Sequence, residues 1–228
     1  MQLFFGVFME NDHISAKFPF YGNLSDEQKC ELKKNSSVFR FAKGEHIHSA
    51  NDDCLGIVYL LRGQIRVYMI SEDGREITLY RLFENDVCAL TASCVLDAVT
   101  FDVFIDAEED CELLAAGAAF FRRLKSENIY VEAFIYKIAT QRFSDVMWAM
   151  QQILFMGMDK RLAIFLSDEI SRSGENFVKL THEQIARYIG SAREVVSRML
   201  KYFESEKIVE LSRKEIRIID KKKLKSYF

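Results

Sequence analysis

From residue 38 to about residue 104, apolar side chains fall in short runs separated by turn residues. Phe39 and Phe41 alternate with polar neighbours, Lys43-Gly44-Glu45 turns the chain, and the runs 57–61 and 65–70 flank Arg62-Gly63-Gln64. A further run, 77–83, follows Ser71-Glu72-Asp73-Gly74. Period-two alternation suits strands with one buried face, and Asp-Gly between apolar runs is a hairpin signal. Short strands at this spacing predict an antiparallel sandwich or barrel closed on itself. One or two short helices precede it, with Ser25 capping residues 26–33.

Past Ser126 the period changes. Tyr136, Ala139, Phe143, Val146, Met150 and Ile153 follow the three- and four-residue spacing of a and d positions. That predicts a long helix over about 129–156 with a dimer seam. Val131, Ile135 and Ile138 form a second apolar stripe, so both faces are expected to be buried, one on the barrel and one on a second copy of the chain. Gly157 then breaks the helix, and Asp159 is read as the cap of another, from 160 to about 171, closed by Gly174. The expected organisation is α+β: a β-rich segment over 1–123, the long helix in 124–156, and a C-terminal domain over 157–228.

Within the last of these, Thr181-His182-Glu183-Gln184 and Ser191-Ala192-Arg193-Glu194 each read as a capping box, a hydroxyl followed three residues later by Glu or Gln. Two helix starts ten residues apart with Gly190 between them, small Ala186, and Ile185, Ile189, Val196 and Met199 on a shared side describe a helix-turn-helix. The second helix, 192 to about 205, offers Arg193, Glu194, Ser197 and Arg198 outward. Arginine forks onto guanine O6 and N7, glutamate accepts from cytosine N4, and serine serves either edge, so these are base-reading side chains by type. Residues 208–211 and 215–219 alternate around Ser212-Arg213-Lys214, a hairpin completing a winged helix. Thr181, Ser191, Lys201, Arg213 and Lys214 are the expected phosphate contacts, and the run Lys221-Lys222-Lys223 is a solvated tail or a further one.

Charge supports this division. Residues 1–123 hold 12 basic and 20 acidic side chains, and residues 179–228 hold 13 and 7, although the whole chain is only −3. A basic module on an acidic chain can meet phosphates without making the whole protein adhesive. With 228 residues, 49% of them hydrophobic and 29% charged, the chain suits one large or two modest globular domains. No apolar stretch reaches the roughly 18 residues of a membrane span, and the apolar opening Met1 to Met9 lacks the basic flank of a signal peptide. Five scattered cysteines then point to a reducing cytoplasm.

Lys43-Gly44-Glu45, Leu60-Leu61-Arg62-Gly63-Gln64-Ile65-Arg66-Val67, Glu72-Asp73-Gly74-Arg75-Glu76, the long helix and the helix-turn-helix over 180–200 occur in this order. In these features the chain resembles the bacterial transcription regulators of the cyclic-AMP receptor protein and fumarate-nitrate regulator (CRP/FNR) family. The resemblance implies a homodimer with an N-terminal jelly-roll sensor domain of cyclic-nucleotide-binding type, a dimerisation helix and C-terminal winged helices reading an inverted repeat in double-stranded DNA, with RNA polymerase as a partner. In the cyclic-AMP branch Arg-Glu-x-x-x-Arg reads TGTGA, matched by Arg193, Glu194 and Arg198. In the fumarate-nitrate branch Glu-x-x-Ser-Arg reads TTGAT, matched by Glu194, Ser197 and Arg198. Both half-sites stay open.

The sensor departs from the family. Members that bind cyclic AMP carry Gly-Glu-Leu followed by Arg-Ser-Ala or Arg-Thr-Ala. Here Leu90 falls at the glutamate, and no arginine lies between Arg81 and Arg122. A buried phosphate without a cation is too costly, so the expected effector is not cyclic AMP. An iron-sulfur cluster of that branch needs a close N-terminal cysteine group, and Cys30 is the only cysteine before Cys54. The expected pocket wall of Val87, Cys88, Leu90, Cys94, Val95 and Leu96 suits a small apolar ligand, haem or thiol redox sensing. His46 and His48 are expected on one strand face, within reach of a metal. A cupin-like metalloenzyme is the reading from another class; it lacks downstream ligands, since the only later histidine is His182. A third reading is a winged-helix scaffold that binds protein. The leading one is a regulator, not an enzyme.

Overall fold

Among the described residues the alternating runs fold as eight short strands in two sheets. The computed structural model describes residues 15–49, 55–88, 103–213 and 215–228. The strands are β1 (Ser36–Phe41), β2 (His46–His48), β3 (Ile57–Arg62), β4 (Ile65–Ile70), β5 (Glu76–Leu82), β6 (Val87–Cys88), β7 (Phe104–Ala107) and β8 (Cys111–Ala116). They pair in the orders β1-β8-β3-β6 and β2-β7-β4-β5, the antiparallel jelly roll expected. The first and last strands run antiparallel side by side, from Ser36 opposite Ala116 to Phe41 opposite Cys111. In β3, Ile57, Val58, Tyr59 and Leu60 are all buried, as a central strand covered on both faces requires.

One of those faces explains the helices. Ile57 and Tyr59, with Val38, Leu114 and Ala116, pack in one cluster with Leu32 of α1 (Asp26–Lys34), Phe121 and Leu124 of α2 (Ala118–Glu127), and Val131, Ile135 and Ile138 of α3 (Ile129–Phe155). Val131 and Ile135 are fully buried, each worth about 1.5–3 kcal/mol, so this stripe anchors α3 as expected. Ser25 caps α1, its hydroxyl accepting from Gln28 N at 3.1 Å while Gln28 returns the bond. Helix α2 was not anticipated: apolar residues continue from the end of β8 into it, and only Gly117 marks the change.

The chain divides into two compact units. One comprises the residues up to Met69 with Leu79–Asp145; the other comprises Ile70–Thr78 with Val146–Phe228. The second holds α4 (Met158–Ser173), α5 (His182–Tyr188), α6 (Arg193–Ser205) and α7 (Lys221–Lys225) with a small sheet ordered β10-β11-β9, from Val209–Leu211, Ile216–Ile218 and Phe177–Val178. Leu162, Leu166, Ile185, Val196, Leu200 and Phe203 are its fully buried centre.

Several expectations are corrected. Asp159 does not cap α4; Gly157 holds the cap position, and the helix starts early enough to bring Met158 against the core. Asp159 sits in the first turn, where a carboxylate still complements the helix dipole. Gly174 does close α4, in the left-handed region at φ +74°. The lysine run opens a helix the sequence did not announce, α7, capped by Asp220 and pinned by fully buried Leu224, while Lys221 and Lys222 stay exposed as a solvated run does. Lys223 is held by Glu206 at 2.8 Å. His46 and His48 do not present one face, because a register shift separates them: His46 is exposed and bonded to Asp106 at 2.8 Å, whereas His48 is buried. Among the described residues no group of three or more histidine, cysteine, aspartate or glutamate side chains could hold a metal ion. No helix among them is long and apolar enough to cross a membrane.

Candidate nucleic-acid interface

Thr181 caps α5 in the expected reciprocal box, its hydroxyl accepting from Gln184 N at 3.1 Å and Gln184 Oε1 accepting from Thr181 N at 2.9 Å. The other end of α5 closes on Gly190, left-handed at φ +60°, with Ser191 N donating to Ala186 O at 2.9 Å. This is the six-to-one bond of a Schellman close, and it commits Ser191 to the end of α5. For that reason the expected Ser191–Glu194 capping box does not form. Ala192 is the cap residue of α6, without a side-chain bond, and the helix begins at Arg193. Glu194 therefore occupies the second helical position, and its carboxylate is not spent on a cap.

Helix α6 is strongly two-faced. Val196, Leu200 and Phe203 are fully buried, while Arg193, Glu194 and Arg198 are exposed and Ser197 is half-buried. With Lys201, those four line one open groove of about 480 Å³. An adjoining groove of about 820 Å³ runs past Thr181, His182 and Arg193 to Ser212 and Arg213 of the wing. The expected base-reading residues and Thr181, Lys201 and Arg213 thus lie on connected surface. Ser191 is half-buried and lines neither groove; Lys214 lies outside the described residues.

Two side chains here were missed. Arg161 of α4 donates from Nη1 to Ile189 O at 2.9 Å and reaches Gly190 O at 3.5 Å, tying down the turn between α5 and α6. Burial lowers its pKa from the usual arginine value. His182, read only as an absent metal ligand, places Nδ1 2.8 Å from Ser197 Oγ, so the hydroxyl expected to read bases already has one partner. Neither contact has a sequence signal, since the partners are 28 and 15 residues apart on elements that meet only after folding.

In the jelly roll, Val87 and Cys88 are buried on β6; the rest of the expected pocket wall, Leu90, Cys94, Val95 and Leu96, lies outside the described residues. A cation does reach this region from a distant element. The Arg142 guanidinium of α3 lies 5.0 Å from the Tyr80 ring centroid and donates to Asp145 at 2.7 Å. Among the described residues Tyr80 Oη and Arg142 Nε are buried without a hydrogen-bond partner. Burial drives the Tyr80 phenol well above its ordinary pKa, with Cys88 adding to the shift and Arg142 opposing it.

A jelly roll, a long helix and a winged helix-turn-helix with a charged, exposed reading face define the class of DNA-binding transcription regulators built on a cyclic-nucleotide-binding-type domain. Residues 38–128 match the cyclic nucleotide-binding domain, and residues 160–227 match the Crp-like helix-turn-helix domain. A solved chain from Eubacterium rectale, assigned to the crp/fnr family of transcriptional regulators, is 42% identical and superposes with a TM-score of 0.87, covering 93% of this chain and 98% of that one. The cAMP-activated global transcriptional regulator CRP of Pasteurella multocida is 23% identical, over 82% of this chain and 89% of its own. The global nitrogen regulator of Nostoc is 25% identical, over 79% of this chain and 84% of its own. The chain belongs to the CRP/FNR family and is a DNA-binding transcription regulator of that type.

Proposed function

We propose that the chain acts as a homodimer whose α6 helices read an inverted repeat with TTGAT- or TGTGA-like half-sites, under control of an effector other than cyclic AMP. The observation carrying this is the division of α6 into a fully buried face, Val196, Leu200 and Phe203, and an exposed face with Arg193, Glu194 and Arg198 beside Ser197. Arg198 and Glu194 suit a G·C pair, while Lys201, Arg213 and the hydroxyls of Thr181 and Ser191 contact phosphate and set register. The dimer forms along α3, where Tyr136, Phe143 and Met150 are 53%, 66% and 46% exposed and Ala139, Val146 and Ile153 are half-buried. Large apolar residues at a and d positions on a free helix face call for a partner helix. The functional division is a sensor over 1–123, the dimerisation helix over 124–156 and the reading domain over 157–228.

For the effector, Leu90 in place of the family's glutamate and the lack of an arginine between Arg81 and Arg122 argue against a cyclic nucleotide. Arg142 does not replace that arginine, because Asp145 already compensates its charge. A small, largely apolar effector with one acceptor atom would satisfy Tyr80 Oη or Arg142 Nε. The protein works in the cytoplasm at promoters, with RNA polymerase as its protein partner; among the described residues Cys30, Cys88 and Cys111 form no disulfide, as a reducing compartment allows. Selection of bound sequences from random DNA tests the reading. An inverted repeat with half-site centres about one helical turn apart is expected, and failure to recover any such repeat overturns it.

A further inference from the structure

His182 stands out because its position on α5 serves no purpose in the core, yet its ring bonds to a residue of the reading face. A hydroxyl has one proton and two lone pairs, so whichever way the ring uses it decides what remains for DNA. When Nδ1 of His182 carries a lone pair, Ser197 donates its proton to the ring across the 2.8 Å contact and offers DNA only lone pairs. Those lone pairs suit cytosine N4 or adenine N6. When both ring nitrogens are protonated, Nδ1 donates to Ser197, and the hydroxyl proton turns toward the groove. That proton suits guanine O6 or N7, or thymine O4.

We propose that His182 sets the hydrogen-bonding sense of Ser197, so that base preference at the position Ser197 faces depends on the protonation of His182. The inference rests on the reading of Ser197 as a base contact. Arg193 and Lys201 of α6 act on the ring, and Lys179, Glu183 on its own helix, and Arg213 and Glu215 of the wing line the groove it borders. Burial first, then Arg193 and Lys201, lowers the pKa of His182 below the ordinary histidine value of about 6.5. The ring is therefore neutral at pH 7, and its second proton arrives only on acidification. The side chain takes no part in capping α5, which Thr181 and Gln184 accomplish between themselves, so replacing it leaves the helix start intact.

The test uses the full-length protein and symmetric operators built on its selected repeat, differing only at the base pair where Ser197→Ala relaxes preference. Competition between operators is measured at about pH 7.5 and at the lower pH where NMR of the His182 ring shows both nitrogens protonated. For the wild type, the ratio of affinities is expected to move toward thymine or guanine by about threefold to tenfold per half-site on acidification, the worth of one hydrogen bond. For His182→Ala and Ser197→Ala the ratio should not move. Ring nitrogen shifts of His182 measured by NMR should give a proton on Nε2 at the higher pH. A wild-type ratio independent of pH, an equal shift in His182→Ala, or a neutral ring protonated on Nδ1 overturns the proposal while leaving sequence-specific binding in place. If Ser197→Ala changes preference at no position, the assignment of Ser197 as a base reader falls instead, and this inference with it.

Discussion

Replacing Gly190 by alanine sets two effects of opposite sign against each other. At φ +60° an L residue costs about 1–2 kcal/mol, whereas losing the glycine's freedom in the unfolded chain returns about 0.4–1 kcal/mol. Mid-range strain of about 1.5 kcal/mol against a return of about 0.7 kcal/mol leaves a net loss of about 0.8 kcal/mol. The added methyl would lie 3.2 Å from Ile153 Cδ1, the end of a flexible side chain that yields by a few tenths of an ångström, so sterics add little. Gly174 supplies the control, with φ +74° and nothing within 4 Å of the new carbon. Gly174→Ala should therefore cost nearly as much, and any excess at Gly190 measures the Ile153 contact. Denaturant unfolding at one fixed protein concentration reads the cost, with hydrogen exchange of α6 amides as a second probe that dimerisation does not confuse. DNA affinity should fall further in Gly190→Ala than in Gly174→Ala, because only Gly190 closes the turn that sets α6. A neutral or stabilising Gly190→Ala, or equal loss of DNA affinity in both variants, would refute the reasoning.

Charging the seam with Phe143→Glu and Met150→Glu places like charges in a desolvated interface, and sedimentation should show a monomer; an unchanged dimer affinity would remove α3 as the interface. Arg198→Ala should cost about 1–3 kcal/mol per half-site and relax preference at one base pair, read by competition binding. Glu194→Gln should change sequence preference while leaving the helicity of α6 intact, since Glu194 caps nothing; retained preference would return it to a structural role. Calorimetry should detect no binding of cyclic AMP or cyclic GMP at micromolar concentration, and a measured micromolar affinity would refute the exclusion.

Elements whose signals are local were legible from the residues alone. The β-type runs, the three-four spacing over α3, the cap at Ser25, the box at Thr181 and the glycines at 174 and 190 all act within one or two turns of chain, and each produced the element expected. The outward set Arg193, Glu194, Ser197 and Arg198 was legible for the same reason, because helical periodicity alone separates it from Val196 and Leu200. Local signals failed where two elements competed for one residue or where polarity gave no boundary. Ser191 had the spacing of a cap but was needed to close α5, Asp159 yielded when the core drew α4 back to Met158, and α2 followed β8 with no polar break. The side chains that position the site, Arg161 on the turn, His182 on Ser197 and Arg142 beside Tyr80, were decided only by tertiary structure. A long polar side chain chooses its partner by which groups burial brings within about 3 Å and strips of water, and for residues on different elements that choice exists only once the helices and sheets have packed.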